Sequence, residues 1–370
     1  MLMGDSRYNC PMKAWPILLA TTVLLGIVGE RRTTKLWDGS RQTQQRHADR
    51  LSDWILRRAG AGSVDSPGGA RFDGEWSLVT CQLALIGFAQ VTEAHPELQP
   101  RYQPASRACA DWLVTDAARQ FGTAAWGEDG LASLHGAPEH AYLGYVNAAL
   151  GAHRRLEPDT PHAPLHDALT ASLSEGLSAD IWRFETYPGE IYPADLAVVA
   201  GSIAAHDRAT GGDHSAHLAD WSRRLRATAV DPKTGMLYQS LRPDGSPGDL
   251  PRGSGTALAA WFLADVDRAL SADLYEALGK PRLLGFGGIR EYPPGVRGLG
   301  DIDSGPVISG VSVAATGFGI AAARSQGDEE ACRRLVRTST VFGLPVGGWH
   351  LTGGGIGNAI MLAMLTAEAR

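Results

Sequence analysis

The stretch 301–324, DIDSGPVISGVSVAATGFGIAAAR, constrains the fold most tightly. After a polar, turn-like opening it runs for the length of a helix with no charge until Arg324, crowded with glycine, alanine and serine. A helix that is apolar all round is buried all round, and small side chains let its neighbours come close. Asp303 or Ser304 is a natural N-cap and Pro306 suits a first turn, so the sequence predicts a helix opening at Pro306. Two carboxylates, Asp301 and Asp303, then stand at the mouth of a buried helix.

The design recurs. Uncharged, small-residue stretches open near Glu75, Glu139, Ala194, Ser254, Pro306 and Gly354, a spacing of roughly 50–60 residues that marks repeated units. Charged, amphipathic stretches alternate with them, at 44–59, 101–119, 161–181, 212–230, 272–279 and 328–342. Helices without a polar face need neighbours on every side, and half-charged helices show one face to water. The pattern predicts an all-α (α/α)6 toroid: six inner helices ringed by about six outer ones, in a single domain over 44–370. A minor β-hairpin is expected at 236–245, where Pro243-Asp244-Gly245 forms the turn. A helical solenoid is the architectural rival, but its repeat signatures are missing.

Residues 1–43 form a separate N-terminal segment. Its 15–29 run, WPILLATTVLLGIVG, carries no charge. It is a little short for a membrane-spanning helix, which takes about 17–25 residues, and fits the apolar core of an export signal or an anchor. Arg31, Arg32 and Lys35 follow it and argue against simple export. Membrane association, by anchor or during export, is the expectation, with the side of the membrane open. A buried core helix is the alternative for this run. Net charge is -6 with the signs well mixed, so there is no basic stripe to track phosphates and no nucleic-acid partner is expected. Cys10, Cys81, Cys109 and Cys332 are too scattered for a metal cluster, and a Cys81–Cys109 disulfide is left open. With no phosphate-binding glycine loop, dinucleotide fingerprint or HExxH pair, neither cofactor nor metal is expected.

If the ring closes, whatever precedes each inner helix converges on one cavity. Glu190 lies between Gly189 and Ile191 in an aromatic loop and has no helix-capping role, which makes it the expected general acid. Asp303 is the expected base, with Asp301 as its substitute and His140 as a further proton carrier. Paired carboxylates are what glycosyl transfer needs, one protonated to donate to a leaving oxygen and one ionised. Glu139, Tyr187, Tyr192, Arg252, Trp126, Trp349 and His350 are expected to bind substrate, the aromatic rings against sugar faces and Arg252 on a carboxylate or phosphate. Each has a plainer reading. Asp303 and Ser304 are also good caps, the histidines suit a core, and the aromatic residues suit packing. Asp195 follows Pro193 in a first helical turn, where acid is favoured by the helix dipole alone; Glu75 opens the first inner stretch and is expected, with Asp195, among the carboxylates converging on the cavity.

The layout resembles the (α/α)6-barrel enzymes: the six-hairpin glycosidases with their polysaccharide-processing relatives, and the linalool dehydratase/isomerase-like proteins. The likeness covers residues 44–370 and rests on organisation, with local echoes in Tyr187-Pro188-Gly189-Glu190 and in the 301–306 loop. It implies a site at one end of the barrel, built by loops entering the inner helices. The chain lacks the cysteine pair near Glu190 that the dehydratase branch implies. Three functional readings follow: a glycan-processing hydrolase, lyase or epimerase; an enzyme acting on a small apolar alcohol or terpenoid; and a non-catalytic envelope scaffold whose carboxylates merely cap helices.

Overall fold

The computed structural model describes residues 40–60, 73–132, 134 and 139–369. The N-terminal apolar run and the 61–72 stretch lie outside the described residues.

The charge-free segments form α2 (Asp73–Ala94), α5 (Tyr142–Leu156), α7 (Pro193–Thr210), α9 (Gly253–Phe262), α11 (Val313–Ser325) and α13 (Gly354–Thr366). Each packs on the next in that order, and α13 packs back on α2. This is a closed ring, and a solenoid is excluded. The amphipathic segments form α1 (Arg41–Gly60), α3 (Gln99–Leu113), α4 (Asp116–Trp126), α6 (Ala163–Ala179), α8 (Ser215–Ala229), α10 (Arg268–Ala277) and α12 (Glu329–Gly343), which pack around that ring. The fold is thus the predicted (α/α)6 toroid. Small residues permit the closeness. A Cβ on Gly144 of α5 would come within 2.8 Å of the Val199 Cα on α7, so only glycine fits that crossing. A disulfide joins Cys81 on α2 to Cys109 on α3, both fully buried, and Cys332 is buried as a free thiol.

Strands are confined to short pieces. β1 (Glu139–His140) pairs in parallel with β2 (Phe184–Glu185). The long loop before α11 holds β3 (Arg282–Leu283), β4 (Phe286–Gly287), β5 (Ile289–Arg290), β6 (Val307–Ile308) and β7 (Val311–Ser312). A last hairpin, β8 (Pro345–Val346) and β9 (Trp349–His350), precedes α13. The predicted hairpin at 236–245 is a set of isolated bridges, with Leu241 pairing both Ile191 and Pro247.

One correction concerns the stretch that organised the prediction. The fifth inner helix begins at Val313, with Ser312 as its cap accepting from the Ala315 N–H at 3.0 Å. Residues 307–312 turn back instead as the β6–β7 hairpin. Ser309 and Gly310 both have positive φ, 53° and 83°, the backbone of a tight hairpin turn whose twist suits paired strands, and the flanking Val307, Ile308 and Val311 favour strand. Neither Asp303 nor Ser304 is its N-cap residue, although the Ser304 carbonyl accepts from the Ala314 N–H at 3.1 Å.

Candidate active site

All six inner helices contribute to one cavity of about 480 Å³ at the end where they begin. On α2 the lining residues are Glu75, Leu78, Val79, Gln82 and Leu83, the spacing of a single helical face. The mouths of α5 and α7 add Tyr142, Tyr145 and Asp195; the loops add Tyr187, Tyr192 and Asp303; α11 and α13 add Phe318, Ile356 and Ile360. The cavity is therefore acidic at its mouth and mostly apolar along its walls.

Three carboxyl groups define the acidic end. Glu75 stands in the first turn of α2, and the Tyr187 hydroxyl bridges both its oxygens at 3.2 Å. Burial, then the charges of Asp195 and Asp303, push the Glu75 carboxyl up to about 7, against the pull of that hydrogen bond. Asp195 stands in the first turn of α7 and is fully committed. Its Oδ1 accepts from the Tyr145 hydroxyl at 2.6 Å and its Oδ2 from the Thr186 hydroxyl at 2.7 Å. Burial raises its affinity for a proton, and those two donors oppose the rise. The Asp303 carboxyl has no hydrogen-bond donor among the described residues. Its exposed surface opens on the cavity, and burial by the surrounding wall, then the Asp301 and Asp195 charges, raise it to about 6. Tyr145, Tyr187 and Tyr192 are all shifted upward, by burial first and then by these acids, so their hydroxyls remain donors.

The structure brings some of the predicted residues to this cavity and keeps others away. Asp303, Tyr187, Tyr192 and His350 line it. Glu190 does not: it is exposed at the rim, where its carboxylate accepts from the Tyr192 hydroxyl at 3.3 Å. Asp301 is tied up beside the cavity. It pairs with Arg252 and accepts from the Ser304 N–H at 3.0 Å and the Asp303 N–H at 3.1 Å. Burial acts to raise its carboxyl, but the Ser304 N–H and the Arg252 charge outweigh it, and Asp301 is held below the usual carboxylate range. Arg252 is consequently a loop clamp, held by Asp301 and Asp249 against the Tyr292 ring. Its side chain does not line the cavity.

His140 is wholly buried, its ring stacked on Trp126 at 4.3 Å, and burial lowers its pKa. Neither residue reaches the cavity wall. Trp349 packs toward Trp54 at 6.2 Å, also away from the cavity. The backbone of Glu139 pairs with Phe184, and its side chain lies outside the described residues. His350 reaches the cavity from β9, with its ring stacked on His47 at 5.3 Å.

Glu75 and Asp195 were expected at the cavity but given no chemical role, Asp195 because acid in a first turn has a sufficient local explanation. The signal was present in their company: Glu75 precedes an uncharged helix, and Asp195 follows the Tyr187–Tyr192 loop. Gln82 gave no signal at all. It is 1% exposed, lines the cavity, and among the described residues neither its amide oxygen nor its amide nitrogen has a hydrogen-bond partner.

Among the described residues two groups of side chains are near enough to hold a metal ion: His166, Asp167 and His206, and His206, Asp207 and His214. Both sit where the C-terminal end of α7, which carries His206 and Asp207, meets α6 and the start of α8, away from the cavity lining. Asp167 already pairs with Arg154, and Asp207 accepts from the His214 ring at 2.6 Å.

A closed double ring of helices with carboxyl groups at one end defines the (α/α)6 class. No protein-family model matches the chain, and no curated protein matches it by sequence. Among solved structures it is similar to unsaturated glucuronyl hydrolases. The one from Bacillus sp. GL1, responsible for the degradation of glycosaminoglycan, is 12% identical with a TM-score of 0.55, over 88% of this chain and 96% of that one. A variant of UGL with dGlcA-Glc-Rha-Glc gives 12%, 0.56, 88% and 95%. The enzyme from Streptococcus agalactiae gives 10%, 0.50, 86% and 91%. At these identities the likeness establishes the fold.

Proposed function

We propose that this protein is a glycan-processing enzyme working by carboxylate acid–base chemistry, with hydrolysis as the leading reaction. The observation that carries the reading is the split among the three carboxyls. Glu75, lifted to about 7, holds a proton near neutral pH and can give it to a leaving oxygen. Asp303 lacks a donor of its own and can take a proton from water or substrate. Asp195, held by Tyr145 and Thr186, supplies a fixed charge that helps keep Glu75 protonated. Tyr187 and Tyr192 offer hydroxyls and ring faces to a sugar. The similar solved structures support an oligosaccharide substrate, one of them carrying dGlcA-Glc-Rha-Glc. With carboxyls sharing one cavity rather than capping separate helices, the scaffold reading has less support.

The apolar walls favour a second reading, a small apolar alcohol or terpenoid. Leu78, Val79, Leu83, Phe318, Ile360 and Met361 suit such a body better than a fully hydroxylated chain. Membrane association, through the 15–29 run or during export, is part of the proposal. The Cys81–Cys109 disulfide supports an oxidising compartment.

The test is turnover against unsaturated glucuronyl oligosaccharides and against monoterpene alcohols, with the parent and with Glu75→Gln and Asp303→Asn. Each substitution should cost about 100-fold or more in kcat on the true substrate. Loss on the alcohols alone would select the second reading, and near-normal turnover in both variants would refute the acid–base assignment.

A further inference from the structure

Beside the cavity mouth the surface is apolar and basic at once. The β3–β4 turn carries Leu283 and Leu284, 73% and 85% exposed, and Leu299, 89% exposed, hydrogen-bonds through its carbonyl to the Val307 N–H of β6. Ile308 and Phe342, both exposed, line the same cleft as Leu283. This cleft, about 280 Å³, shares Val313 and Ser339 with the main cavity. It is thus a side branch of the mouth rather than an isolated dent. Contiguous exposed apolar surface beside a cavity marks an interaction site.

The backbone sharpens the point. Leu284 and Gly285 form the two-residue turn of the β3–β4 hairpin with φ of 49° and 83°. Asparagine or glycine would sit there without strain, whereas leucine is strained and presents its side chain to water. Nothing inside the fold uses that side chain.

The charges around it identify the partner. Residues 280–300 contain Lys280, Arg282, Arg290 and Arg297 and a single acid, Glu291, which is buried against Ser254. Arg282 lines the cleft, the Arg290 guanidinium lies beside Gly310 at the β6–β7 turn, and the Arg337 guanidinium donates to the Gly285 carbonyl at 2.9 Å. No carboxylate is ion-paired to Arg282, Arg290 or Arg297 among the described residues. Apolar tips set among arginines match a bilayer interface with anionic headgroups: the leucines enter the acyl boundary while the guanidiniums meet phosphates. A second protein copy would bring the same arginines against each other.

We propose that the face formed by the β3–β4 and β6–β7 turns, Leu299 and Phe342 docks on an anionic lipid bilayer, and that the cleft is a lipid-chain groove leading into the cavity. It orients the cavity mouth toward the membrane plane, independently of how the 15–29 run is held.

The test uses the full chain, with Leu24→Asp and Leu25→Asp to disable that run, on vesicles of phosphatidylcholine with and without about 30% phosphatidylglycerol. Added Leu283→Ser and Leu284→Ser should weaken sedimentation with anionic vesicles about tenfold or more. Binding should fall as salt rises from about 0.05 to 0.5 M. A separate Leu284→Trp variant should gain fluorescence quenching by chain-brominated lipid over the parent. Unchanged sedimentation with no added quenching overturns the proposal. So does a parent that dimerises in solution through this face, with the leucine variants monomeric and no vesicle bound by either. Both leucines are exposed, so circular dichroism should be identical throughout.

Discussion

Asp195 and Asp303 face the same cavity from different segments of its rim, and they are not alike. Asp195 grows from the first turn of a rigid inner helix and spends both oxygens on Tyr145 and Thr186. Asp303 hangs from a loop that Asp301 and Arg252 fasten from behind, and its own carboxyl has no donor among the described residues. The chemical type is the same; the supply of hydrogen bonds separates a charge that is held from one that can act. The loop pays for this freedom with a dedicated clamp.

The comparison breaks most visibly if each of the two carboxyl groups is removed in turn. Asp303→Asn should reduce turnover about 100-fold while leaving the melting temperature near or above that of the parent. Asp195→Ala should cut activity too, but it strands the Tyr145 hydroxyl and should cost about 1–3 kcal/mol of stability, measured by denaturant unfolding. Equal stability effects would erase the distinction.

The next effect is in pH. Burial lifts Glu75 from 4.5 to about 7 and Asp303 from 3.8 to about 6, so the folded protein keeps protons that the unfolded chain has already released. The stability these two groups contribute is complete below their unfolded values and is lost as the pH rises through about 6 and 7. Glu75→Gln and Asp303→Asn should therefore each lessen the fall in melting temperature between about pH 5 and pH 8. A parent and variants with parallel pH profiles would contradict the raised values. Turnover, needing Asp303 ionised and Glu75 protonated, should be bell-shaped with its maximum between those values.

A smaller effect concerns the apolar wall. Gln82 lies two turns below Glu75, about 10 Å along the helix, with an amide that has no hydrogen-bond partner among the described residues. Gln82→Leu should raise stability by roughly 1 kcal/mol, since it removes a buried polar group without a partner, and should raise KM for any substrate that offers this amide a partner. Destabilisation would mean that the amide is already satisfied. Smallest of all, Glu190→Gln should change turnover less than about threefold, because the side chain faces water at the rim. A large loss there would move the acid from Glu75 to Glu190.

The ring was readable because burial on all sides leaves a compositional mark: α2, α7, α9, α11 and α13 are almost uncharged over their length. The loops were less readable. Ser309-Gly310 reads as a continuation of a small-residue helix until the positive φ at both residues, and the strand pairing they permit, are seen. Glu190 stood out in sequence as an acid with no helix role, yet a loop acid reaches the cavity only if its backbone turns inward, and the Tyr187–Glu190 bridge turns it out. Asp195, placed at the cavity from sequence like Glu75, was set aside by the opposite logic. An explanation by helix dipole was available, and it is compatible with their facing the cavity.

The seam between α13 and α2 has a consequence for biosynthesis. Gly87 leaves just enough room for Leu362, where a Cβ would approach the leucine within 2.6 Å, so the sixth inner helix completes the wall by docking on the first. Until residues 354–366 have left the ribosome, Glu75 faces an open trough with no far side. Before that helix docks, the cavity lacks one wall and its apolar lining on α2 is uncovered.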